Sequence, residues 1–242
     1  AMAADWNRGG TGSLDMGGTL TPEVKVTPWE IKIGDAVNNL DGVYQPGQKE
    51  ILVPVKNPVL ALAIRTINNN TFTGATGISP QIDFNNAIDI ENFSNGITTL
   101  TLEVKDNASN KIGKLTVPFT AAAVGSVTGS IVKFTYMVAD GDYANRGFRG
   151  GLPKTWGKAN KSPINTLNKL SSEIMVNFNN QGLSFDESGL GTSFTSTNAN
   201  YSAAYGAGIM PQSNITISLD NAPSAGGLLN WKASLPITVY YQ

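Results

Sequence analysis

The last stretch of the chain constrains the fold most, because apolar and polar side chains alternate there up to the final residue. Period-2 alternation is typical of a strand with one buried face. No strand follows to cover that face, and an open apolar edge of this kind would aggregate. We therefore expect a sheet that lacks one strand. The residues on its apolar face, which would line an acceptor groove, are Trp231, Ala233, Leu235, Ile237, Val239 and Tyr241.

The opposite end of the chain offers a spare strand. Residues 12–22 read GSLDMGGTLTP, and adjacent glycines at its centre weaken it as a strand of its own fold. It is either an ordinary first edge strand with a frayed start or a strand added to another molecule's sheet. A missing last strand and a detachable first one are complementary, and head-to-tail exchange between them would give an open filament. The residues on its apolar face are Leu14, Met16, Gly18 and Leu20.

Composition excludes several classes of function. The 242 residues include no cysteine and no histidine, which removes disulfides, thiolate nucleophiles, histidine acid–base chemistry and most zinc sites. Seventeen basic and 18 acidic side chains give a net charge of -1, so nothing indicates nucleic acid or an anionic membrane surface as a partner. No apolar run approaches the roughly 18–20 residues of a membrane helix. We predict a protein that is not an enzyme and that needs no cofactor or metal.

Short alternating segments between the two ends predict an all-β sandwich of short antiparallel strands. Their predicted apolar faces are Trp29, Ile31 and Ile33; Ile51, Val53 and Val55; Leu100, Leu102 and Val104; Leu115, Val117 and Phe119; Val132, Phe134, Tyr136 and Val138; and Ile215, Ile217 and Leu219.

The alternation stops at about residues 140–200, which we interpret as an insertion into the sandwich. Ser162 and Pro163 predict the N-cap and the first position of a helix. Apolar residues follow at helical spacing, and residues 179–182 end the helix. Residues 183–200 are predicted to be a loop. The apolar residues of the helix are Ile164, Leu167, Leu170 and Ile174.

A Gly-rich part of the insertion mixes aromatic and basic side chains, the composition that a glycan site needs. Sugars stack their C–H faces on aromatic rings while polar groups bind their hydroxyls. Alternatively, Phe148 and Trp156 pin the insertion to the sandwich and the basic groups are merely solvated. A glycan-processing enzyme would instead need a carboxylate pair, with candidates at 83, 89, 91, 186 and 187. The candidate receptor-binding residues are Tyr143, Arg146, Phe148, Arg149, Lys154 and Trp156.

Several segments spread over nearly the whole chain carry a family resemblance. They are the Ala4-Asp5-Trp6 leader with GSLDMGGTLTP, WEIKIG at 29–34, GISPQIDF at 77–84, Ile112-Gly113, SAAYGAGIM at 202–210 and LNWKASLPITVYYQ at 229–242. Through these segments the chain resembles the major adhesive subunits of chaperone–usher fimbriae, specifically FaeG-like subunits of the kappa clade. An aromatic residue next to last, here Tyr241, is the chaperone-recognition feature of that class.

The resemblance implies an incomplete immunoglobulin-like β-sandwich that is completed by donor-strand complementation and carries a loop and helix insertion. Residues 1–22 would be the donor-strand extension and residues 23–242 the pilin domain. A periplasmic chaperone would cap the groove, and an outer-membrane usher would exchange that cap for the donor strand of the next subunit. Ala1–Ala3 fits either the end of a signal-cleavage site or a cloning remnant.

The implied function is that of a major fimbrial subunit, secreted through the periplasm into fimbriae on the bacterial surface. In this clade the repeating subunit is itself the lectin-like virulence factor that binds host glycoconjugates. The alternative is a minor or purely structural subunit without receptor binding.

Overall fold

The computed structural model describes residues 6–21, 26–223 and 227–242. The expectations for Ala1–Ala3, for Pro22 and for the start of a strand at Val24 lie outside these residues. The elements are β1 Trp29–Ile33, β2 Glu50–Pro54, β3 Val59–Thr66, β4 Phe72–Thr73, β5 Pro80–Asp83, β6 Ile97–Lys105, β7 Lys111–Thr128, β8 Lys133–Met137, a 3-10 helix Trp156–Lys158, α1 Pro163–Leu170, β9 Asp186–Leu190, β10 Asn200–Ile209, β11 Asn214–Leu219 and β12 Thr238–Tyr241.

The strands form a sandwich in which one long strand, β7, serves both layers. The first half of β7 pairs with β6 and β11, and β2 lies beyond β11. The second half of β7 pairs with β10 and β8, and the order continues from β10 to β3 and β1. The strands β5 and β12 form a separate antiparallel pair. This architecture confirms the predicted all-β, immunoglobulin-like class, although β7, with 18 residues, is not a short strand.

The core between the layers follows the predicted alternation. Leu115, Val117 and Phe119 on β7 are at most 4% exposed, and Ile215 and Ile217 on β11 are as well buried. These β-branched, aromatic and leucine side chains fit the pleated inner surface of a half-buried strand. Burial of one face of each strand is therefore the main source of stability of the sandwich.

The first strand departs from its predicted pattern. Trp29 is buried and packs edge-on against Phe148 and Phe194, with ring centroids 5.8 and 5.1 Å away. Ile31 and Ile33 are instead 46% and 49% exposed. The reason is the position of β1 at the end of its sheet, where the opposite layer no longer covers the inner face.

The predicted helix forms but is shorter than its apolar pattern. It ends at Leu170 because Ser171 adopts extended backbone angles, and the carbonyl of Glu173 accepts a 2.7 Å hydrogen bond from Arg65. Leu167, Leu170 and Ile174 remain buried against the outer face of the sheet, as their spacing predicts.

Small residues on the sheet make this helix packing close. A Cβ atom at Gly206 of β10 would lie 2.8 Å from side-chain carbons of both Leu167 and Ile174. The neighbouring Ala122 and Ala204 are also buried beneath the helix. The outer face is therefore a flat surface on which the insertion docks, while the inner face of the same strands builds the core.

Two further expectations, one for β8 and one for the insertion, are corrected. The residues predicted to face inward from β8 do not face the main core: Phe134 packs under the helix and Tyr136 packs with Val138 and Ala159, whereas Met137 faces the core. The insertion folds back over the sheet and so buries both faces of β8. The predicted loop 183–200 contains β9, which pairs with β8 in parallel.

Candidate functional site

The last stretch of the chain keeps its predicted alternation but is incompletely covered. From Trp231 to Gln242, half-buried and exposed residues alternate without exception. All six apolar residues of this face, from Trp231 to Tyr241, pack against the main core, yet none is fully buried. An apolar face that meets the core and stays partly exposed lacks a cover. Only residues 238–241 form a regular strand, because the preceding residues have few backbone partners.

An apolar cavity of about 590 Å³ lies along this stretch, and we call it the groove. The stretch before β12, from Gly227 to Ile237, forms one wall, and the segment after β1, which includes Leu40 and Tyr44, forms the other. Core residues of both layers, among them Ile217 of one layer and Ile209 of the other, form the floor. Four of the six predicted acceptor residues line the cavity: Trp231, Ala233, Leu235 and Ile237.

The remaining two acceptor residues belong to the paired end of the strand. Val239 lies opposite Ile82 and Tyr241 lies opposite Pro80 in the β5–β12 ladder. They pack against the core but do not line the cavity. The open part of the groove therefore offers four inward positions, the same number as the apolar face of residues 12–22.

Hydrogen bonds join the groove walls at one end. The indole Nε1 of Trp231 donates to the carbonyl of Leu40 at 3.1 Å. The hydroxyl of Tyr44 donates to the carbonyl of Gly227 at 2.5 Å. These contacts hold the segment after β1 next to residues 227–231 and so set the width of the groove there. Sequence reasoning missed this wall, because its apolar residues follow neither a strand nor a helix period.

The N-terminal segment does not complete the sandwich of its own chain. No residue from 6 to 21 belongs to a strand, and all of them are exposed. Leu14, Met16 and Leu20 are 83%, 86% and 100% exposed. An ordinary first edge strand is therefore not what this segment forms. Such a set of exposed apolar side chains on an extended segment is a liability unless a partner buries it.

The six candidate receptor-binding residues differ widely in exposure. Phe148 is completely buried, and its ring stacks on Tyr205 with centroids 5.2 Å apart. Its backbone N–H donates to the carbonyl of Pro80 at 2.7 Å. Phe148 is thus a core residue that anchors the insertion, and we remove it from the candidate surface set. For Phe148 alone, this placement matches the alternative interpretation, in which the aromatic residues pin the insertion to the sandwich.

Replacing Phe148 by alanine should destabilise the subunit by about 3–5 kcal/mol, because the cavity left among Trp29, Phe194 and Tyr205 cannot collapse around a rigid aromatic cluster. Urea unfolding followed by tryptophan fluorescence measures the change. Tyr143→Ala, at a side chain that is 58% exposed, should change stability by less than about 0.5 kcal/mol. Equal stability of the two variants would contradict the anchoring role.

The basic candidates are engaged in ion pairs or backbone contacts. Arg146 lies 3.0 Å from Asp140 as an ion pair without directed hydrogen-bond geometry, and its guanidinium lies 4.4 Å from the ring centroid of Tyr143. Lys154 lies 2.8 Å from Glu91. The carbonyl of Arg149 accepts a hydrogen bond from the N–H of β5 residue 82. The ion pairs of Arg146 and Lys154 order the loop and engage both of these charges, whereas the contact of Arg149 is made by its backbone.

Two aromatic rings of the set remain open to solvent. Tyr143 is 58% exposed and Trp156 is 42% exposed. A Cβ atom at Gly189 would lie 2.7 Å from ring carbons of Trp156, so the absent side chain lets β9 support the indole from one side. Sequence reasoning missed Gly189, because its contact joins residues that are distant in the chain.

Two of the five candidate carboxylates, Glu91 and Asp186, are poorly suited as the acid of glycoside hydrolysis, which needs a raised pKa. A hydrogen bond from Lys154 lowers the pKa of Glu91, and a hydrogen bond from the Ser188 hydroxyl lowers the pKa of Asp186. No group of three or more potential metal-ligating side chains occurs in the described ranges. Within the same residues, no helix has the length and apolar character to cross a membrane.

Comparison with known proteins relates the whole chain to fimbrial proteins. The family described as "Fimbrial, major and minor subunit" matches residues 1–242. The F41 fimbrial protein of Escherichia coli is 25% identical over 266 aligned residues, which cover 99% of this chain and 92% of that protein.

Proposed function

The chain belongs to the family of major and minor fimbrial subunits, and from this premise we propose that it polymerises by donating residues 12–21 to the groove of the next copy. A fimbrial subunit is a structural component of a surface fibre and not an enzyme. The single observation that carries the proposal is the complementarity of the two chain ends. One end is an exposed apolar strand pattern, and the other is a half-covered apolar groove.

The energetics favour this exchange. Burial of Leu14, Met16 and Leu20 would contribute about 1.5–3 kcal/mol for each side chain. Backbone hydrogen bonds to the open edge of the last strand would add to this term, as in other cases of β-strand addition. Gly18 adds no side chain and would let the strand pass a bulky groove residue.

The geometry of the exchange determines the assembly. A donor at one end of the chain and an acceptor at the other make a heterologous contact, which extends without closing when the two lie on different surfaces. Assembly of the purified chain, imaged by electron microscopy, tests the proposal. Fibres that form when the N-terminal segment cannot be donated would contradict it.

We extend the proposal to the assembly route. A subunit with an empty groove exposes an edge that invites aggregation, so it needs a temporary occupant before the donor arrives. A periplasmic chaperone would fill the groove, with Tyr241 in its recognition feature, and an outer-membrane usher would direct the exchange.

We also propose that the subunit binds host glycans through the exposed aromatic surface of the insertion, centred on Trp156 and Tyr143. The supported indole of Trp156 offers a face for sugar C–H groups, while Lys154, two residues earlier in the chain, and its ion-pair partner Glu91 offer polar groups for hydroxyls. In a fibre this surface would repeat once per subunit, and multivalency would raise the avidity of a weak site. This would be the major, adhesive role; a minor or purely structural subunit is the alternative.

Trp156→Ala should abolish glycan binding while leaving the fold intact, because the stacking surface is lost and the side chain is only partly buried. The measurement is a glycan array probed with a chain whose groove is filled by a copy of residues 11–22, fused after Gln242. Val176→Ala, at a 65% exposed apolar residue of the insertion, is the matched control. Equal glycan binding by both variants would indicate that the site lies elsewhere on the subunit. No binding by any folded sample would favour the purely structural alternative.

A further inference from the structure

The short strand β5 connects the groove to the insertion, because both of its edges are occupied. On one edge, β5 pairs with β12, the paired end of the acceptor strand. On the other edge it contacts residues 145–151, which we call the base segment. The N–H of Phe148 donates to Pro80 at 2.7 Å, and the N–H of Ile82 donates to Arg149 at 2.8 Å. The base segment thus extends the sheet that contains the acceptor strand.

Buried side-chain contacts fix the base segment to β5. Gln81 is 1% exposed, and its amide donates to the carbonyl of Arg146 at 2.8 Å. The hydroxyl of Ser79 donates to the carbonyl of Asn145 at 2.6 Å, while the backbone of Ser79 exchanges two 3.0 Å hydrogen bonds with Gln242. Residue 79 therefore contacts the end of the acceptor strand and the start of the base segment at the same time.

Close backbone packing makes the same junction rigid. A Cβ atom at Gly150 would lie 1.9 Å from the carbonyl oxygen of Ile82, so a side chain there would displace β5. The hydroxyl of Tyr205 in the core donates to the carbonyl of Gly151 at 2.9 Å. A shift of β5 would therefore move the base segment with it.

The acceptor strand is the least stably held strand of this sheet. Among the described residues, β12 pairs with β5 alone, and its apolar face is only half-buried. A strand with one unpaired edge and a half-covered face opens more readily than a central strand. Its neighbour β5 and the base segment would then share in these openings.

We propose that filling the groove orders the base segment through β5, and with it the exposed surface that carries Tyr143 and Trp156, so that polymerisation and receptor binding are coupled. The inference rests on the proposed donation of residues 12–21. Its consequence is that a subunit with an empty groove presents a less ordered receptor surface than a subunit in the fibre.

Hydrogen exchange on the full chain, with and without a synthetic peptide of residues 11–22, tests this coupling. We expect the exchange of the Leu235 and Ile237 amides, in the open part of the groove, to slow at least tenfold on peptide binding, and that of the Phe148 and Ile82 amides to slow by about the same factor. The amide of Ser171, which bonds to Leu167 at the end of the helix on the outer face, should change less than about twofold.

Each outcome has a distinct meaning. No protection of Leu235 and Ile237 would contradict the proposed groove function itself. Protection there without protection of Phe148 would overturn the coupling while leaving groove function intact. Equal protection at Ser171 would also overturn it, since that result indicates a global gain in stability.

Two variants sharpen the test. Ser79→Ala removes the hydroxyl bond to Asn145 and keeps the backbone pair with Gln242. It should leave protection of the acceptor strand unchanged and reduce the transmitted protection at Phe148 severalfold. Gln81→Met removes the amide donor to Arg146 and should have the same effect more strongly. Unchanged transmission in a folded Ser79→Ala chain and a folded Gln81→Met chain would contradict the role of these contacts.

Discussion

A chain without residues 1–21 should form no fibres and yet remain a folded subunit while a chaperone fills its groove. Every contact between neighbours would lose the three large apolar side chains at positions 14, 16 and 20, together worth about 5–9 kcal/mol when fully buried. The subunit itself should persist because residues 6–21 belong to no strand of their own chain. Electron microscopy measures fibre formation, and circular dichroism measures the fold.

Point substitutions test whether fibre formation depends on the apolar face of the N-terminal segment or only on the presence of the segment. Leu14→Asp combined with Leu20→Asp should prevent fibres as fully as the deletion, because both side chains would face the groove. Ser13→Asp combined with Thr19→Asp places the same charges on the opposite face and should leave fibres intact. Fibres from the deleted chain, or equal behaviour of the two double variants, would refute the donor role.

Leu235→Asp should prevent a subunit from accepting a donor strand, since its carboxylate would face the apolar groove. Burying an unpaired carboxylate costs several kcal/mol, enough to cancel most of the gain from the donor side chains. Ser234→Asp is the matched control, because Ser234 is exposed on the outward face of the same strand. The affinity for a fluorescent peptide of residues 11–22 should fall at least a hundredfold in the first variant and less than about threefold in the second.

A mixture of the two defective chains gives the sharpest result. The chain without residues 1–21 can accept but not donate, and the Leu235→Asp chain can donate but not accept. Mixed in equal amounts they should form a one-to-one complex and nothing longer, which light scattering after size-exclusion chromatography detects. Fibres in this mixture would contradict a single donor and a single acceptor per subunit.

The sequence correctly predicts the elements in which the spacing of apolar residues along the chain reflects which face of the element is buried. Leu115 to Phe119 and Ile215 to Leu219 are core strands as expected, because one face meets the opposite layer and the other does not. The acceptor stretch is equally clear, since it alternates over its whole length. The insertion helix is recognisable from Leu167, Leu170 and Ile174, whose spacing survives even where the backbone leaves the helix.

Prediction fails where both faces of a strand are covered or where the backbone conformation is unusual. Strand β10, with the sequence NYSAAYGAGI, is buried on both faces, so its small residues show no alternation. From the sequence, Phe148 fits either a surface ring or an anchor of the insertion, because it lies among glycines and basic residues. A positive φ of 63° and a bond to β5 instead place it in the core. The groove wall around Leu40 and Tyr44 is defined only by contacts across the groove.

The sheet beneath the insertion allows the exposed surface of the insertion to change in evolution independently of the groove. The helix is held by a few large side chains that rest on the small residues Ala122, Ala204 and Gly206, while the groove is built on the opposite face. Exposed positions of the insertion can therefore vary at little cost in stability. A fibre of this subunit could then alter the surface that antibodies meet while every joint along its length stays the same.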